Sequence, residues 1–175
     1  MDQQKKRIVD EAISVLNLEA DSVRQLAGRV DHQFVRMVDL ICRCKGRLII
    51  SGIGKSGIIA HKIVATLNST GTRSLFLHPV EAMHGDLGMV CHNDVFLALS
   101  SSGETDELNL LLERIKTVGC PIVAFTGNKE STLAKHSDVV IDAGQIDVLC
   151  LVSGVVLCVT KDTNVTAVVD DCTLY

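Results

Sequence analysis

The hydrophobic positions of this chain follow two different periods. Over residues 4–27 they recur at helical spacing, and a second helix is predicted over 33–42, with Asp31 as its N-cap. After Gly46, short apolar runs alternate with stretches of helical period. The predicted strands are residues 47–51, 74–77, 94–99, 121–126 and 139–142. This alternation predicts an α/β fold, with a doubly wound, five-stranded, mostly parallel sheet flanked by helices and preceded by an N-terminal helical pair.

The segments between and after the strands are of three kinds. Helical period predicts helices over 58–67 and 105–118, whereas residues 78–86 form a polar connection. Residues 148–159 and 165–169 are rich in Val and Cys and predict strand or poorly determined structure. We therefore predict one domain, with N-terminal helices over 1–45, an α/β core over 46–143 and an atypical segment over 144–175.

The composition narrows the class of protein. A hydrophobic content of 47% and a charged content of 22% are typical of a globular protein, and a net charge of −4 argues against a nucleic-acid partner, whose phosphates demand a basic surface. The longest apolar run, 148–159, is shorter than the roughly 20 residues that a bilayer-spanning helix needs. The polar N-terminus does not resemble a leader, so we expect no membrane partner and a cytoplasmic location.

The seven cysteines are expected to be free, buried thiols. Cys42 and Cys44 are separated by one residue, and the second half of a zinc site is missing at the usual spacing along the chain. Packing is therefore the expected role of this pair.

Two short turns at the ends of predicted strands carry the candidate chemistry. The glycine turn is residues 52–57, and the serine turn is residues 100–105. Glycine lets the backbone approach an anion, and the helix that follows offers N–H groups and a partial positive charge at its N-terminus. Two such turns, about one βα unit apart, predict one shared anion site.

Several ligands compete for the glycine turn. Its Gly-Lys-Ser end resembles a nucleotide P-loop, but Ile49 stands where that motif needs a glycine. Its Gly-x-Gly-x-x-Gly spacing fits the dinucleotide fingerprint, but residues 77–79 lack the acid that would hold a ribose hydroxyl. The hydroxyls of the serine turn favour a third ligand, a phosphosugar. Two interpretations without a ligand also stay open: the glycine turn could be only a tight turn, and the serine turn could be only a helix N-cap.

Three motifs resemble those of the sugar isomerase (SIS) domain. They are residues 52–57, 78–89 and 100–108. The middle block is similar to the arabinose-5-phosphate isomerases of the Kdo pathway of lipopolysaccharide biosynthesis in particular, and the resemblance covers residues 5–144. It implies an isomerase that interconverts D-ribulose 5-phosphate and D-arabinose 5-phosphate through an enediol, without cofactor or metal.

The resemblance also implies a role for individual residues. The reaction needs a base for the carbon acid and a stabiliser for the developing oxyanion. Family positions make Glu107 the acid or base, Lys55 the electrostatic stabiliser and His84 a donor or proton relay. The hydroxyls that would hold the phosphate belong to Ser56, Ser100, Ser101, Ser102 and Thr105.

Each catalytic role has an alternative. Lys55 could serve only to neutralise the phosphate, and Glu107 could simply favour a helix N-terminus. His84 could be a structural hydrogen-bonding residue, or could hold a metal ion together with His78 and Asp86.

The chain departs from the family after the fifth predicted strand. Val148 stands where the family carries a glutamate, and the turn that opens a long helix in the family is not found. We expect a short form without tandem CBS modules, and a homodimer or homotetramer. A non-catalytic phosphosugar-binding module, either a sensor or a degenerate copy, stays open as the second function.

Overall fold

The computed structural model describes residues 3–144 in full and, as backbone, two further strands. The helices are α1 (Gln3–Ala27), α2 (His32–Arg43), α3 (Lys55–Ser69), α4 (Pro79–Met83), α5 (Asp106–Val118) and α6 (Thr132–Lys135), with a 3-10 helix at Asp86–Met89. The strands are β1 (Leu48–Gly52), β2 (Ser74–Phe76), β3 (Val95–Leu99), β4 (Ile122–Thr126), β5 (Val139–Asp142), β6 (Val155–Val159) and β7 (Val165–Val169).

The first five strands form one parallel sheet in the order β2-β1-β3-β4-β5. Gly52, the last residue of β1, pairs with Leu99, the last residue of β3. The two strands therefore end level with each other at the same edge of the sheet. The predicted doubly wound fold is confirmed. β6 and β7 form a separate antiparallel pair, and the rest of the predicted apolar run, 148–154, lies outside the described residues.

Both faces of the sheet are covered, because alternate residues of each strand point to opposite sides. Ile49 and Phe96 are fully buried on the face covered by α5. Their neighbours Ile50 and Leu97 are buried on the face covered by α2 and α3. Burial of one such side chain stabilises the fold by about 1.5–3 kcal/mol. Burial on both faces also explains why these strands are continuous apolar runs rather than alternating ones.

Two of the predicted helices are confirmed in detail. Asp31 caps α2, since its carboxylate accepts a hydrogen bond from the N–H of Gln33 at 2.9 Å. The predicted apolar stripe of α5 is fully buried and consists of Leu108, Leu111, Leu112 and Ile115. These helices hold their positions on the sheet through the side chains that the 3.6-residue period selects.

The connection after β2 is more regular than its sequence indicates. Residues 78–86, expected to be an irregular polar connection, contain α4 and the start of the 3-10 helix. Pro79 starts α4, and the Nδ1 atom of His78 accepts a hydrogen bond from the N–H of Val80 at 3.3 Å. A five-residue helix is too short for hydrophobic periodicity to reveal it. The glycine turn also differs, because Gly52 is part of β1 rather than of the turn.

Helix α1 is largely exposed to solvent. Of its residues, Ser22 is buried, whereas Ile8 and Leu16, both on the predicted apolar stripe, are each about two-thirds exposed. The stripe expected from the sequence is thus present but does not pack on the sheet of this chain. Among the described residues, no helix combines the length and the apolar character that crossing a membrane requires.

The described cysteines are free, as expected, but they are not all buried. Cys120 is buried, and this burial raises the pKa of its thiol to about 11. Cys42 and Cys91 are exposed. The expectation of buried thiols is therefore wrong for these two, because cysteine is small enough to be tolerated on a helix or turn surface.

Candidate active site

The glycine turn brings the N-terminus of α3 to the carboxyl edge of β1. Gly54 is the N-cap, with φ of 60° and ψ of −125°, a conformation that residues with a Cβ rarely adopt. Because Gly54 has no side chain, the first N–H groups of α3 have no side-chain cap. A Cβ added to Gly57 would lie 2.9 Å from the carbonyl oxygen of Gly52, so only glycine allows this close approach. The turn thus leaves the N-terminus of α3 without a side-chain acceptor, as an anion-binding helix N-terminus requires.

The serine turn brings the N-terminus of α5 to the carboxyl edge of β3. The hydroxyls of Ser100 and Thr105 lie 2.9 Å apart, and Ser100 Oγ also accepts a hydrogen bond from the N–H of Gly103 at 3.0 Å. Ser100 is buried, whereas Ser101 and Ser102 are exposed. The five hydroxyls predicted from the sequence are therefore not equivalent. Ser100 and Thr105 shape the turn, while Ser101 and Ser102 lie on its outer side.

A third turn supports the serine turn from behind, and the sequence analysis gave it no role. This backing turn, residues 127–132, follows β4 at the same edge. The N–H of Gly127 donates to the carbonyl of Ser101 at 2.9 Å, and the N–H of Leu133 donates to the carbonyl of Gly103 at 3.0 Å. A Cβ on Gly103 would overlap the side chain of Ser131. A third small-residue turn after a predicted strand was the pattern in the sequence that could have revealed it.

The glycine and serine turns meet at one cavity. Ser56, Ser100 and Ser101 line it together, beside apolar side chains of α2, α3 and the sheet, and its volume is about 220 Å³. Among the described residues, Ser102 and Thr105 do not line this cavity. The structure thus brings three of the five predicted phosphate-binding residues to one place and leaves Ser102 and Thr105 beside it on the same turn.

The three candidate catalytic residues lie on connections that leave three adjacent strands. His84 ends α4 after β2, Lys55 begins α3 after β1, and Glu107 is in the first turn of α5 after β3. All three are exposed. Since β2, β1 and β3 are neighbours in a parallel sheet, these connections leave from the same edge. Residues 23 or more positions apart in the chain are thereby gathered at the edge where the turns lie.

The alternative in which His84 holds a metal ion with His78 and Asp86 finds no support within residues 3–144. No three His, Cys, Asp or Glu side chains there are grouped closely enough to hold a metal ion. His78 uses its Nδ1 atom to cap α4 instead.

An ion-pair cluster ties the N-terminal helices to this edge of the sheet. Asp142, at the end of β5, contacts the guanidinium of Arg29 at 2.9 Å and the ammonium of Lys129 at 3.1 Å. Burial would raise the pKa of Asp142, but the N–H of Gly144 and the two cations outweigh it and lower the pKa overall. Arg29 and Asp142 also line the cavity shared by the two turns. The cluster therefore fixes the α1–α2 connection beside the candidate site.

Sequence comparison relates this chain to a family of known proteins. Residues 41–146 match the model of the SIS domain. Arabinose 5-phosphate isomerase KdsD of Pseudomonas aeruginosa is 44% identical over 163 residues, which are 93% of this chain and 49% of that protein. Arabinose 5-phosphate isomerase KpsF of Escherichia coli O6:H1 is 45% identical over 133 residues, which are 75% of this chain and 41% of that protein. The chain thus spans less than half the length of these curated relatives.

Solved structures of similar fold are also found. A protein of E. coli CFT073 in complex with arabinose 5-phosphate is 34% identical, has a TM-score of 0.77, and aligns over 86% of this chain and 81% of its own. Phosphoheptose isomerase GmhA from Neisseria gonorrhoeae, 13% identical with a TM-score of 0.71 over 82% of this chain and 90% of its own, shows the fold alone. The expected resemblance is confirmed: because the family model matches more than half of its residues, the chain belongs to the SIS domain family.

Proposed function

We propose that this chain binds a sugar phosphate where β1 and β3 end. The observation that carries the proposal is the strand order: β2 and β3 lie on opposite sides of β1, so the chain leaves β1 and β3 in opposite directions and opens a crevice between their ends. The glycine and serine turns flank that crevice. A solved relative in complex with arabinose 5-phosphate, which shares this fold, supports the same class of ligand.

The phosphate would be held by hydroxyls and by helix N-termini. In the pair formed by Ser100 and Thr105, either hydroxyl can donate to the other. Whichever donates, the other keeps its own O–H, so the pair retains one donor for a phosphate oxygen. Ser56, Ser101 and Ser102 would supply further donors, and the uncapped N–H groups of α3 add a partial positive charge.

We propose aldose–ketose isomerisation, D-ribulose 5-phosphate to D-arabinose 5-phosphate and back, as the reaction. Glu107 would remove the proton from one carbon and return it to its neighbour. Lys55 would stabilise the enediolate oxygen, and His84 would carry the proton between the two oxygens. No external oxidant or reductant is needed, because the substrate's own carbonyl and hydroxyl exchange oxidation states. A place in Kdo and lipopolysaccharide biosynthesis and a cytoplasmic location stay predictions.

We also infer that the chain forms a homo-oligomer. The apolar stripe of α1 is not covered by the described part of the chain, since Ile8, Val15 and Leu16 are 45–64% exposed. A long helix gains most of its stability from packing an apolar face. A second copy of the same chain, presenting the same stripe, would supply that packing in a homodimer or homotetramer.

The proposal is tested by measuring binding and turnover on the full chain. Arabinose 5-phosphate is titrated by calorimetry, and conversion of ribulose 5-phosphate is followed in parallel. We expect both in the natural chain, and a loss of kcat of about 10²–10⁴-fold in Glu107→Gln with binding retained. Glu113→Gln, on an exposed position of the same helix, is the matched control and should keep full activity.

The two measurements separate the alternatives. Binding without conversion in the natural chain would select the non-catalytic phosphosugar-binding module and reject the isomerase. Absence of binding to either sugar phosphate would overturn the proposed function as a whole.

A further inference from the structure

Glu104 lies in the serine turn but has no part in the chemistry described above. We propose that Glu104 is a positioning residue: it fastens the serine turn to the backing turn and thereby presents the hydroxyl of Ser102 to the phosphate. The proposal rests on the proposed function for its ligand, but the contact itself is a property of the free protein.

The side chain of Glu104 reaches across to the start of α6. Its carboxylate accepts a hydrogen bond from the N–H of Thr132 at 2.9 Å. Thr132 is the first residue of α6, so its N–H has no partner within the helix. Ser131, the N-cap, accepts instead from the N–H of Ala134 at 3.2 Å. The start of α6 is therefore capped from two sides, once by its own N-cap and once by the serine turn.

The backbone of Glu104 acts on the neighbouring hydroxyl. Its N–H donates to Ser102 Oγ at 3.2 Å. A serine oxygen that accepts an N–H keeps its own O–H as a donor. Glu104 thus holds Ser102 at one end and Thr132 at the other, and the direction of the Ser102 hydroxyl depends on where the carboxylate is anchored.

In the rest of the serine turn, the contacts with neighbouring elements are made by residues other than Glu104. Gly103 has φ of 69° and lies against Ser131. The carbonyl of Ser101 is bonded to the N–H of Gly127 in the backing turn, and that of Gly103 to the N–H of Leu133 in α6. These hydrogen bonds are made by backbone atoms, and residue 103 is the last residue of the serine turn that they attach. Beyond residue 103, the side chain of Glu104 continues this attachment by accepting from Thr132 at the start of α6.

The charged form of Glu104 is stabilised by its contacts at the start of α6. Hydrogen bonds from Thr132 hold the pKa of the Glu104 carboxyl below its ordinary value, and the charge of Lys135 acts in the same direction. The carboxylate is thus ionised and directed toward α6. A charged acceptor makes a stronger hydrogen bond than a neutral one, so this contact adds to the backbone hydrogen bonds that hold the turn.

The test compares Glu104→Ala with Glu104→Gln in the full chain. Glu130→Ala is the matched control, since Glu130 is an exposed glutamate of the backing turn. Hydrogen–deuterium exchange of the free protein is measured in peptides covering 100–106 and 127–133. Affinity for arabinose 5-phosphate, KM and kcat are measured on the same preparations.

We expect Glu104→Ala to speed exchange in both peptides and to weaken affinity and raise KM by about tenfold, the effect of losing one hydrogen bond, with kcat within about twofold. Glu104→Gln keeps an oxygen that can accept from Thr132, so it should restore most of the affinity. Glu130→Ala should behave like the natural chain.

Three results would overturn the proposal: unchanged exchange in Glu104→Ala, faster exchange with unchanged affinity, or a Glu104→Gln variant as weak as Glu104→Ala. If the natural chain binds no sugar phosphate, the proposed function fails. The exchange measurement then decides on the Glu104 link by itself: faster exchange in Glu104→Ala supports it and unchanged exchange rejects it.

Discussion

At the scale of single residues, identical side chains in the serine turn do different things. Ser100 is 5% exposed and its hydroxyl is bonded within the turn, to Thr105 and to the N–H of Gly103. Ser101 is exposed, and it is the carbonyl of its backbone that is bonded to the backing turn. The chemistry of a hydroxyl is the same in both, but burial makes the hydroxyl of Ser100 part of the structure of the turn as well, whereas that of Ser101 lies at the surface.

This difference predicts that alanine substitution lowers stability at Ser100 and lowers affinity at Ser101. Ser100→Ala leaves the buried N–H of Gly103 without its acceptor, so the free energy of unfolding should fall by about 1–3 kcal/mol. Ser101→Ala removes a hydroxyl at the surface, so stability should change by less than about 0.5 kcal/mol, while affinity for arabinose 5-phosphate falls. Urea unfolding and calorimetric titration measure the two quantities. Equal losses of stability in both variants would contradict this assignment.

At the scale of elements, the candidate site depends on three turns that follow neighbouring strands. The serine turn of β3 is held by the backing turn of β4, through backbone hydrogen bonds and through the close contact of Gly103 with Ser131. Their geometry is therefore a property of the pair, and it is fixed by the pairing of β3 with β4.

Gly103→Ala tests this contact, with Gly119→Ala as its control. Both glycines have positive φ, 69° and 84°, so in both variants a left-handed backbone costs about 1–2 kcal/mol. Only at Gly103 would the new Cβ overlap another residue, because nothing lies within 4 Å of the Cβ position at Gly119.

We expect Gly103→Ala to be more destabilising than Gly119→Ala by at least about 1 kcal/mol, the usual size of an overpacking cost. It should also lose sugar-phosphate binding, whereas Gly119→Ala should keep it. Thermal unfolding and titration provide the measurements. Equal stability and equal binding in the two variants would mean that the two turns do not depend on each other.

At the scale of the whole molecule, the sheet and α1 present different surfaces. The sheet is buried on both faces by its own helices, whereas α1 extends over 25 residues with most of its apolar stripe exposed. Exposed apolar stripes of this length are typical of interfaces. The link between Arg29 and Asp142 holds the base of this helical pair beside the candidate site, so an interface formed by α1 would lie next to it.

Leu16→Asp tests the proposed interface. Leu16 lies on the apolar stripe and is 64% exposed, so a charge there costs little in a monomer and much in an oligomer. Asn17→Asp introduces the same change in charge on the polar side of α1 and is the control. Light scattering should show a smaller species for Leu16→Asp and no change for Asn17→Asp. Identical masses for both variants and the natural chain would contradict an interface through this stripe.

Much of the local structure follows from the sequence by itself. The 3.6-residue period selects the buried stripe of α5, continuous apolar runs mark the five parallel strands, and Asp31 marks the start of α2. These features depend on the geometry of a few consecutive residues, which the order of side chains determines directly. The glycine and serine turns are predictable for the same reason, because their composition reflects local backbone requirements.

Other features were decided by the tertiary structure. The order β2-β1-β3-β4-β5 places the connections that carry His84, Lys55 and Glu107 at one edge, and no local pattern encodes which strands become neighbours. The same packing buries Ser100 and brings Thr132 to Glu104, 28 residues away in the chain. Such contacts depend on the competition among all ways of covering the sheet, which is a property of the whole chain. The sequence alone therefore indicated the parts of a phosphate site, and the tertiary structure decided which parts meet.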